Sequence, residues 1–408
     1  MARVFRSTYH DTEDRRLGRS GLALRRRLEN GASTWEVELP EAPGEVALAA
    51  PGGPVNPPQL IADLLRAVVS ERALVEVLTV RTRRSDALVD QITVLEDGAV
   101  IRELVRDGRN GDTALDLLEA PPRPSPGKSA SPRERIRARL QEQYEEILAH
   151  DPGTRLGREP EAVHKFRVAV RRTRALLRSA RGMADRVWVD QLRAELGWLG
   201  RSLGGVRDLD VLLLTLRADA EAFGAEDRAA ASRLLSELSG ERAFARRELE
   251  RVLASGRYLT LLARLEEAAQ EPRWAGTEQP VEELAAKEFR RLEKAARALG
   301  KHTSDEQLHK TRIRAKRARY AGEVAEPVVG KRARRLIKRA REFQDVTGAH
   351  QDAVVAEQKL RELVEKEPSI AFVAGRLVER QQQRRDDARR KIAPAWKRLE
   401  RAGHKAWR

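Results

Sequence analysis

The stretch VHKFRVAVRRTRALLRSA begins at Val163, and a stretch beginning at Leu308, LHKTRIRAKRARYAGEVA, repeats its pattern. Each copy places basic residues three, seven, eight and ten positions after a histidine. We call these sets the first and second ridge. The first ridge is His164, Arg167, Arg171, Arg172 and Arg174, and the second is His309, Arg312, Lys316, Arg317 and Arg319. A chain that builds one cationic pattern twice is expected to bind a polyanion.

Helical geometry places most of each ridge on one face of a helix. At about 100° per residue, positions 0, +3, +7 and +10 fall within an arc of roughly 80°. Arg178, at position +14, extends the first ridge. The opposite side of each helix is predicted to face a core. Those core residues are Phe166, Val170, Thr173, Leu177 and Ala180, then Thr311, Ala315, Ala318, Gly322 and Ala325.

A basic helix face is often only a solvated surface. Solvated helices usually intersperse acidic residues, because Glu–Lys pairs at i, i+4 stabilise a helix by about 0.2–0.5 kcal/mol each. The first copy has no acidic residue between Glu161 and Asp185. Stacked like charges destabilise a helix, yet they occur at matched positions in both copies. We therefore favour a binding surface.

Composition narrows the class of partner. The 408 residues suffice for two or three domains, and 79 Lys and Arg against 63 Asp and Glu give a net charge of +16. This charge favours nucleic acid, a phosphate polymer or an anionic membrane. Aromatic residues make up only 4% of the chain, so stacking platforms for single-stranded nucleic acid are few. The absence of cysteine excludes disulfides, thiolate metal sites and cysteine nucleophiles. Without an apolar signal core or a membrane-length apolar run, a cytoplasmic protein is expected.

A Pro/Ser-rich linker divides the chain. Residues 120–132 read APPRPSPGKSASP, a composition that cannot enter a helix or sheet interior. Before the linker, Leu22 to Leu28 and Trp35 to Leu39 flank Gly31 and predict a hairpin. Further strands are predicted over 74–84, 88–95 and 99–105, with one helix over 59–69. Residues 1–119 therefore predict a small α+β domain.

Residues after the linker are predicted to be helical. Ser131 before Glu134, and Ser304 before Gln307, are typical of capping boxes at helix starts. Helices are predicted near 133–150, 161–181, 186–203, 208–222, 226–254, 258–269, 281–299, 305–325, 328–346, 350–366 and 369–403.

The duplication extends beyond the ridges. LGGVRD, over 203–208, aligns with TGAHQD, over 347–352, at an offset of 144 residues against 145 for the ridges. Each unit is predicted to contain a ridge helix, a second helix, a Gly turn and a helix capped by Asp208 or Asp352. Arg207, beside the first turn at a predicted helix start, could reach either an anion or a carboxylate. The duplication predicts two helical bundles related by a pseudo-twofold axis, one in each half, over about 133–270 and 280–408.

These motifs resemble those of the CHAD domain family. The matches are HKFRVAVRRTR from His164, LGGVRDLDV from Leu203, and the second-half stretches over 309–320 and 343–352. The resemblance covers roughly 133–408 and implies a mainly α fold, with two four-helix bundles around a basic groove. It also implies binding of inorganic polyphosphate and association with polyphosphate granules. By motif position, the ligands are His164, Arg167, Arg171, Arg172, Arg174, His309, Arg312, Lys316, Arg317 and Arg319, with Arg178, Arg207 and Lys338 as additions. Thr347 replaces the family's usual Leu and is expected to affect packing more than binding.

The N-terminal segment resembles part of the CYTH, or triphosphate tunnel, family. The matches are YHDTED from Tyr9, GLALRRR from Gly21 and RTRR from Arg81. That family hydrolyses or cyclises triphosphates inside a β-barrel, where acidic residues hold a divalent metal. CYTH and CHAD modules occur fused in this order.

Two departures from the CYTH pattern concern catalysis. The family's opening Glu-x-Glu-x-Lys strand is absent before Tyr9, and Glu38 stands where a tunnel lysine is expected. We therefore expect a truncated, inactive tunnel domain with no catalytic residue, metal ligand or cofactor, although a misplaced start would look the same. Residual phosphate binding is expected at Arg25, Arg27, Arg81 and Arg83.

Two other function classes stay open. An active triphosphatase, supplied with substrate by the helical domain, would need a divalent metal and the missing carboxylates. A non-specific nucleic-acid binder is favoured by net charge alone, because the sequence has no base-reading motif. Neither a specific nucleic acid nor a membrane is predicted as a partner, and protein partners are not indicated. For His164 and His309, phosphate contact and packing between the halves remain alternatives, while a metal role lacks companion ligands.

Overall fold

The computed structural model describes residues 3–42, 44–85, 89–107, 126–127, 129–300 and 303–407. Most of the predicted linker lies outside these residues. The chain divides into two compact units, the first containing 1–125 with 142–169 and the second containing 126–141 with 170–408. Two helices contribute to both units, so these units do not coincide with the predicted domain limits at 119 and 133.

The first unit contains an antiparallel sheet of seven strands in the order β4-β3-β2-β1-β5-β6-β7. The strands are β1 Arg3–Asp11, β2 Ala23–Glu29, β3 Ala32–Glu38, β4 Val46–Pro51, β5 Val75–Arg84, β6 Val89–Glu96 and β7 Ala99–Asp107. The predicted hairpin is confirmed, and its turn residues Asn30 and Gly31 have φ of 53° and 81°, as a tight hairpin turn requires. The predicted strands after residue 70 are confirmed too.

Strands β1 and β4 are absent from the sequence prediction. In β1, every residue from Ser7 to Asp11 is buried, so the strand lacks the alternation that marks a half-exposed strand. Two helices accompany the sheet: α1 (Arg16–Arg19) and α2 (Gln59–Val69), of which α2 has the predicted bounds.

The rest of the described chain is helical, and the predicted class, mainly α after an α+β domain, is confirmed. The helices are α3 Pro132–Leu156, α4 Pro160–Ala180, α5 Arg186–Ala220, α6 Ala225–Ala254, α7 Gly256–Gln270, α8 Val281–Arg297, α9 Asp305–Val329, α10 Lys331–Lys366 and α11 Ala371–Ala406. Both capping boxes form: Ser304 exchanges hydrogen bonds with Gln307 at 3.1 and 3.3 Å, and Ser131 with Glu134 at 2.6 and 3.2 Å. None of the helices in the described part combines the length and apolar character that a bilayer crossing requires.

The predicted Gly turns are wrong. Helices α5 and α10 run through them without a break, so Asp208 and Asp352 lie inside helices and cap neither, and Arg207 lies in mid-helix rather than at a helix start. A helical glycine costs only about 1 kcal/mol relative to alanine, which packing along a 35-residue helix such as α5 can offset. Some helical glycines instead leave room for ridge side chains, because a Cβ on Gly348 would lie 2.9 Å from the Arg312 guanidinium.

Two four-helix cores form within the second unit. One joins α8, α9, α10 and α11, which corresponds to the second predicted half, around Phe289, Leu336 and Phe343. The other joins α5 and α6 with α10 and α11, around Leu216 and Leu360, and so draws on both predicted halves. Because α10 and α11 are each 36 residues long, they contribute to both cores. All ten residues predicted on the core faces of the ridge helices are buried.

Candidate functional site

The ridges lie on α4 and α9. The division between units falls within α4, so His164 and Arg167 belong to the first unit and the remaining ridge residues to the second. All ridge side chains are partly buried except that of Arg174, which is exposed.

Tyr320 connects the two ridges within the second unit. Its buried hydroxyl accepts a hydrogen bond of 2.7 Å from Nε of Arg171 on α4. The guanidinium carbon of Arg319, on α9, lies 4.7 Å from the centre of the tyrosine ring, within cation–π range. Tyr320 therefore fixes one arginine from each ridge, a role that the sequence analysis missed. An aromatic residue after a basic run, in a chain with so few aromatics, is the signal that could have indicated it.

Glu323 lies among three arginines. Its Oε2 is 3.6 Å from Nε of Arg172, and its Oε1 is 3.8 Å from nitrogens of Arg319 and Arg341. These contacts neutralise charge but exceed hydrogen-bonding distance. Arg341 is on α10 and comes from outside both ridges. Glu323 could not be found from the repeated pattern, because that pattern is defined by basic positions alone.

A second carboxylate, that of Glu288, acts on Arg178 of the first ridge and Arg317 of the second. Glu288 Oε1 on α8 is 3.9 Å from Nε of Arg178, and Glu288 also pairs with Arg291. Burial lowers the pKa of Arg317, Arg178 lowers it further by repulsion, and Glu288 partly offsets both effects. The end of the first ridge and the middle of the second are therefore electrostatic neighbours.

Arg193 and Arg201, on α5, add positive charge beside the first ridge, and Arg193 also acts on the second. Loss of hydration lowers the pKa of Arg174, and repulsion from Arg193 and Arg201 lowers it further. Arg193 also repels Arg317, so it acts on both ridges. The sequence analysis missed both residues because, at the 144-residue offset, α10 carries Ile337 and Asp345 instead of a repeated cation.

We call these nine residues the arginine cluster: Arg171, Arg172, Arg174, Arg178, Arg193, Arg201, Arg317, Arg319 and Arg341. The contacts and repulsions above join them to two carboxylates, those of Glu288 and Glu323. Burial and, after it, repulsion between cations lower the pKa of Arg174 and Arg317, and an added anion would relieve the repulsion. The arrangement is suited to holding an extended anion.

The other predicted ligands are distributed around these helices. His309, Arg312 and Lys316 are partly buried on α9, Arg207 is partly buried in the middle of α5, and Lys338 is exposed on α10. Within the described residues, Nδ1 of His309 is shielded from solvent and has no hydrogen-bond partner. Both predicted roles of His309, contact with phosphate and packing between the two halves, therefore remain alternatives. Thr347 is buried and donates to the Phe343 carbonyl of its own helix at 2.8 Å.

A substitution at Gly348 tests whether anion binding depends on the exact position of the Arg312 guanidinium. A methyl group at Gly348 would meet the mobile end of the Arg312 side chain, so Gly348→Ala is expected to displace that guanidinium while the helix stays intact. We expect anion affinity to fall about threefold to tenfold in titrations of a variant with unchanged helicity, because the displaced guanidinium would make a weaker hydrogen bond to the anion. Gly375→Ala on α11, where a Cβ meets no atom within 4 Å, is the matched control. Equal affinities in the two variants would contradict this placement.

The predicted phosphate ligands of the N-terminal sheet do not form one group. Strand register pairs Arg25 with Tyr9, and Arg81 with Arg6, so Arg25 and Arg27 lie on the opposite face from Arg81 and Arg83. Arg81 and Arg83 are exposed. Arg27 pairs with Glu29 at 3.0 Å, and its guanidinium lies over the Phe5 ring.

Arg25 is buried and paired. Its Nε donates to Glu36 at 2.6 Å, and its NH1 lies 3.1 Å from both the Tyr9 hydroxyl and Glu38. Burial opposes the charge on Arg25, but Tyr9 and the two carboxylates outweigh burial, so the arginine pKa is raised. Glu38, predicted to stand in place of a phosphate-binding lysine, is one of its partners.

One group of side chains in the described residues has metal-ligating atoms close together: Glu293, Glu400 and His404. Arg297 pairs with Glu293 at 2.6 Å and with Glu400 at 3.5 Å. Because an arginine already neutralises both carboxylates, these residues form an ion-pair network.

Comparisons with known proteins identify the family to which most of the helical part is similar. Residues 138–361 match the family model of the CHAD domain. Two relatives come from Mycobacterium tuberculosis: "Uncharacterized protein MT2285" of strain CDC 1551 / Oshkosh and "Uncharacterized protein Rv2226" of strain ATCC 25618 / H37Rv. Each is 28% identical to this chain over 480 residues, and the match covers 98% of this chain and 90% of the relative.

Two solved structures share the fold. PptA from Streptomyces chartreusis, at 22% identity and a TM-score of 0.53, matches over 65% of this chain and 99% of its own. The CHAD domain from the plant Ricinus communis, at 26% identity and a TM-score of 0.51, matches over 67% of this chain and 92% of its own.

Proposed function

The chain belongs to the CHAD domain family, and we propose that it binds inorganic polyphosphate through the two ridges and the arginine cluster. The observation that carries this proposal is the convergence of arginines from α4 and α9 at Tyr320 and Glu323. Burial lowers the pKa of Arg174 and Arg317, and repulsion from neighbouring arginines of α4 and α5 lowers it further. Such crowding destabilises the free protein locally and favours binding of a dense, flexible anion.

Polyphosphate suits this site chemically. The polymer carries roughly one negative charge per phosphate, and each guanidinium can donate two parallel hydrogen bonds to one phosphate group. Arg172 and Arg319 make only long contacts with Glu323, so their Nε–H groups can turn to a ligand. Affinity would come largely from release of condensed counterions, as with other polyelectrolytes.

The remaining parts of the proposal rest on the family resemblance. We propose a cytoplasmic protein that associates with polyphosphate granules and has no specific nucleic-acid or membrane partner. The antiparallel sheet is consistent with a CYTH-like fold, and we propose that this part does not catalyse phosphate hydrolysis. Arg25, which would face phosphates in an active tunnel, is held by Glu36 and Glu38 instead.

A titration of the full chain tests the proposal. Long-chain polyphosphate should bind, and its affinity should fall roughly a hundredfold between 50 and 200 mM salt if about five or six phosphates are contacted. Duplex DNA is the competitor, and tighter binding of DNA than of polyphosphate would overturn the assignment. Phosphate release from tripolyphosphate that depends on Mg²⁺ or Mn²⁺ would support the triphosphatase alternative.

A further inference from the structure

The carboxylate of Glu323 lies among three residues of the arginine cluster. Arg172, Arg319 and Arg341 surround it from three helices at 3.6–3.8 Å. Within the described residues, Oε1 accepts no hydrogen bond although it is shielded from solvent. The side chain is 19% exposed and Arg341 is 57% exposed, so a dissolved anion can approach this position.

Glu323 also breaks the internal duplication. Arg178 follows His164 by fourteen residues, and Glu323 follows His309 by the same distance. Both positions fall on the ridge face of their helices, since fourteen residues correspond to nearly four helical turns. Where the first half presents a cation to the arginine cluster, the second half presents an anion.

The geometry of these contacts favours replacement of Glu323 by a phosphate group. Charge pairs that lack hydrogen bonds and remain partly solvated stabilise a protein only weakly, so the arginines can release Glu323 at small cost. A phosphate group offers the same arginines more charge and true hydrogen bonds. Three guanidiniums around one carboxylate also leave a local excess of positive charge for an incoming anion.

We propose that Glu323 is an internal counter-anion that occupies the position of one bound phosphate group and competes with polyphosphate for Arg172, Arg319 and Arg341. This inference rests on the proposed function. Glu323 weakens binding and reduces its salt dependence, because arginines already neutralised by the protein release fewer solution anions when the polymer binds. Glu323 thereby sets the affinity of the second ridge.

Glu323→Gln tests this role, because it removes the charge and keeps the shape of the side chain. We expect long-chain polyphosphate to bind about threefold to tenfold more tightly. We also expect the slope of log affinity against log salt to steepen by about one. Glu323→Arg, which restores the matched cation, should change both quantities further in the same direction. Glu323→Asp keeps the charge and should retain a slope close to that of the wild type.

Glu306→Gln is the matched control. Glu306 is on the same helix, is 74% exposed and pairs with Lys310, so its removal changes net charge equally but should alter affinity less than twofold. If wild-type protein binds and folded Glu323→Gln and Glu323→Arg variants bind no more tightly, with an unchanged slope, the counter-anion role is wrong. Weaker binding by both would mean that Glu323 only supports the structure. If the wild type does not bind polyphosphate, the proposed function itself fails, and this inference fails with it.

Discussion

Arg171→Glu combined with Lys316→Glu is expected to reduce polyphosphate affinity about a hundredfold to ten-thousandfold while the helices stay folded. The two residues occupy matched positions, seven residues after His164 and His309. Each reversal removes an attractive cation and introduces a repulsive anion, which we expect to weaken binding about tenfold to a hundredfold. Arg171→Glu also removes the hydrogen bond to Tyr320, so the neighbouring arginine of the second ridge loses part of its support.

The measurement is a polyphosphate titration of each single variant and of the double variant, with helicity checked by circular dichroism. Lys310→Glu is the control on α9, because Lys310 is exposed, pairs with Glu306 and lies outside the second ridge. A silent single reversal at Arg171 or Lys316, in a folded protein, would show that only one ridge binds. Equal losses from Lys310→Glu and Lys316→Glu would mean that net charge decides affinity.

The ridge faces were predictable because residues that share one face of a helix recur at helical spacing, and the face opposite the basic residues is the one that packs into a core. The residues opposite His309, from Thr311 to Ala325, are small or apolar at helical spacing, and the structure buries each predicted one. The hairpin at Gly31 was predictable for a similar reason, since two alternating segments flank residues that accept positive φ. These signals are local, so one sequence is enough to detect them.

Contacts between distant segments were not predictable in this way. Arg193 adds charge to both ridges, but it has no counterpart in the repeat and no distinctive neighbours. The Gly turns were wrong because a glycine can end a helix or permit close packing within it, and only the neighbouring helix decides between the two. Arg312 against Gly348 is such a case.

The roles of the N-terminal arginines also depend on contacts between distant segments. Alternation along a strand correctly groups Arg25 with Arg27, and Arg81 with Arg83, but it does not indicate which face each pair occupies. Strand register decides that the two pairs lie on opposite faces. Burial then separates the roles, because Arg25 is 5% exposed and ion-paired, whereas Arg81 and Arg83 face solvent.

Arg25→Met should therefore destabilise the sheet. Removing one partner of a buried ion pair costs about 3–5 kcal/mol, because the remaining charges stay buried without compensation. Glu36 and Glu38 are 12% and 1% exposed, so water cannot replace the guanidinium at Glu38. Hydrogen exchange of the backbone amides in β2 and β3 is the suitable measurement, since a chain of two units need not unfold in one step.

Arg81→Met is the matched control for this change. It removes the same charge from an exposed position of β5, where substitutions usually alter stability by less than about 0.5 kcal/mol. Faster exchange confined to the Arg25→Met variant would identify Arg25 as a structural cation whose partners are Glu36 and Glu38. If exchange stayed at the wild-type rate while tripolyphosphate binding to the full chain fell, Arg25 would instead be a phosphate ligand. The ion pair seen in the free protein would then be one that phosphate can displace, as we infer for Glu323.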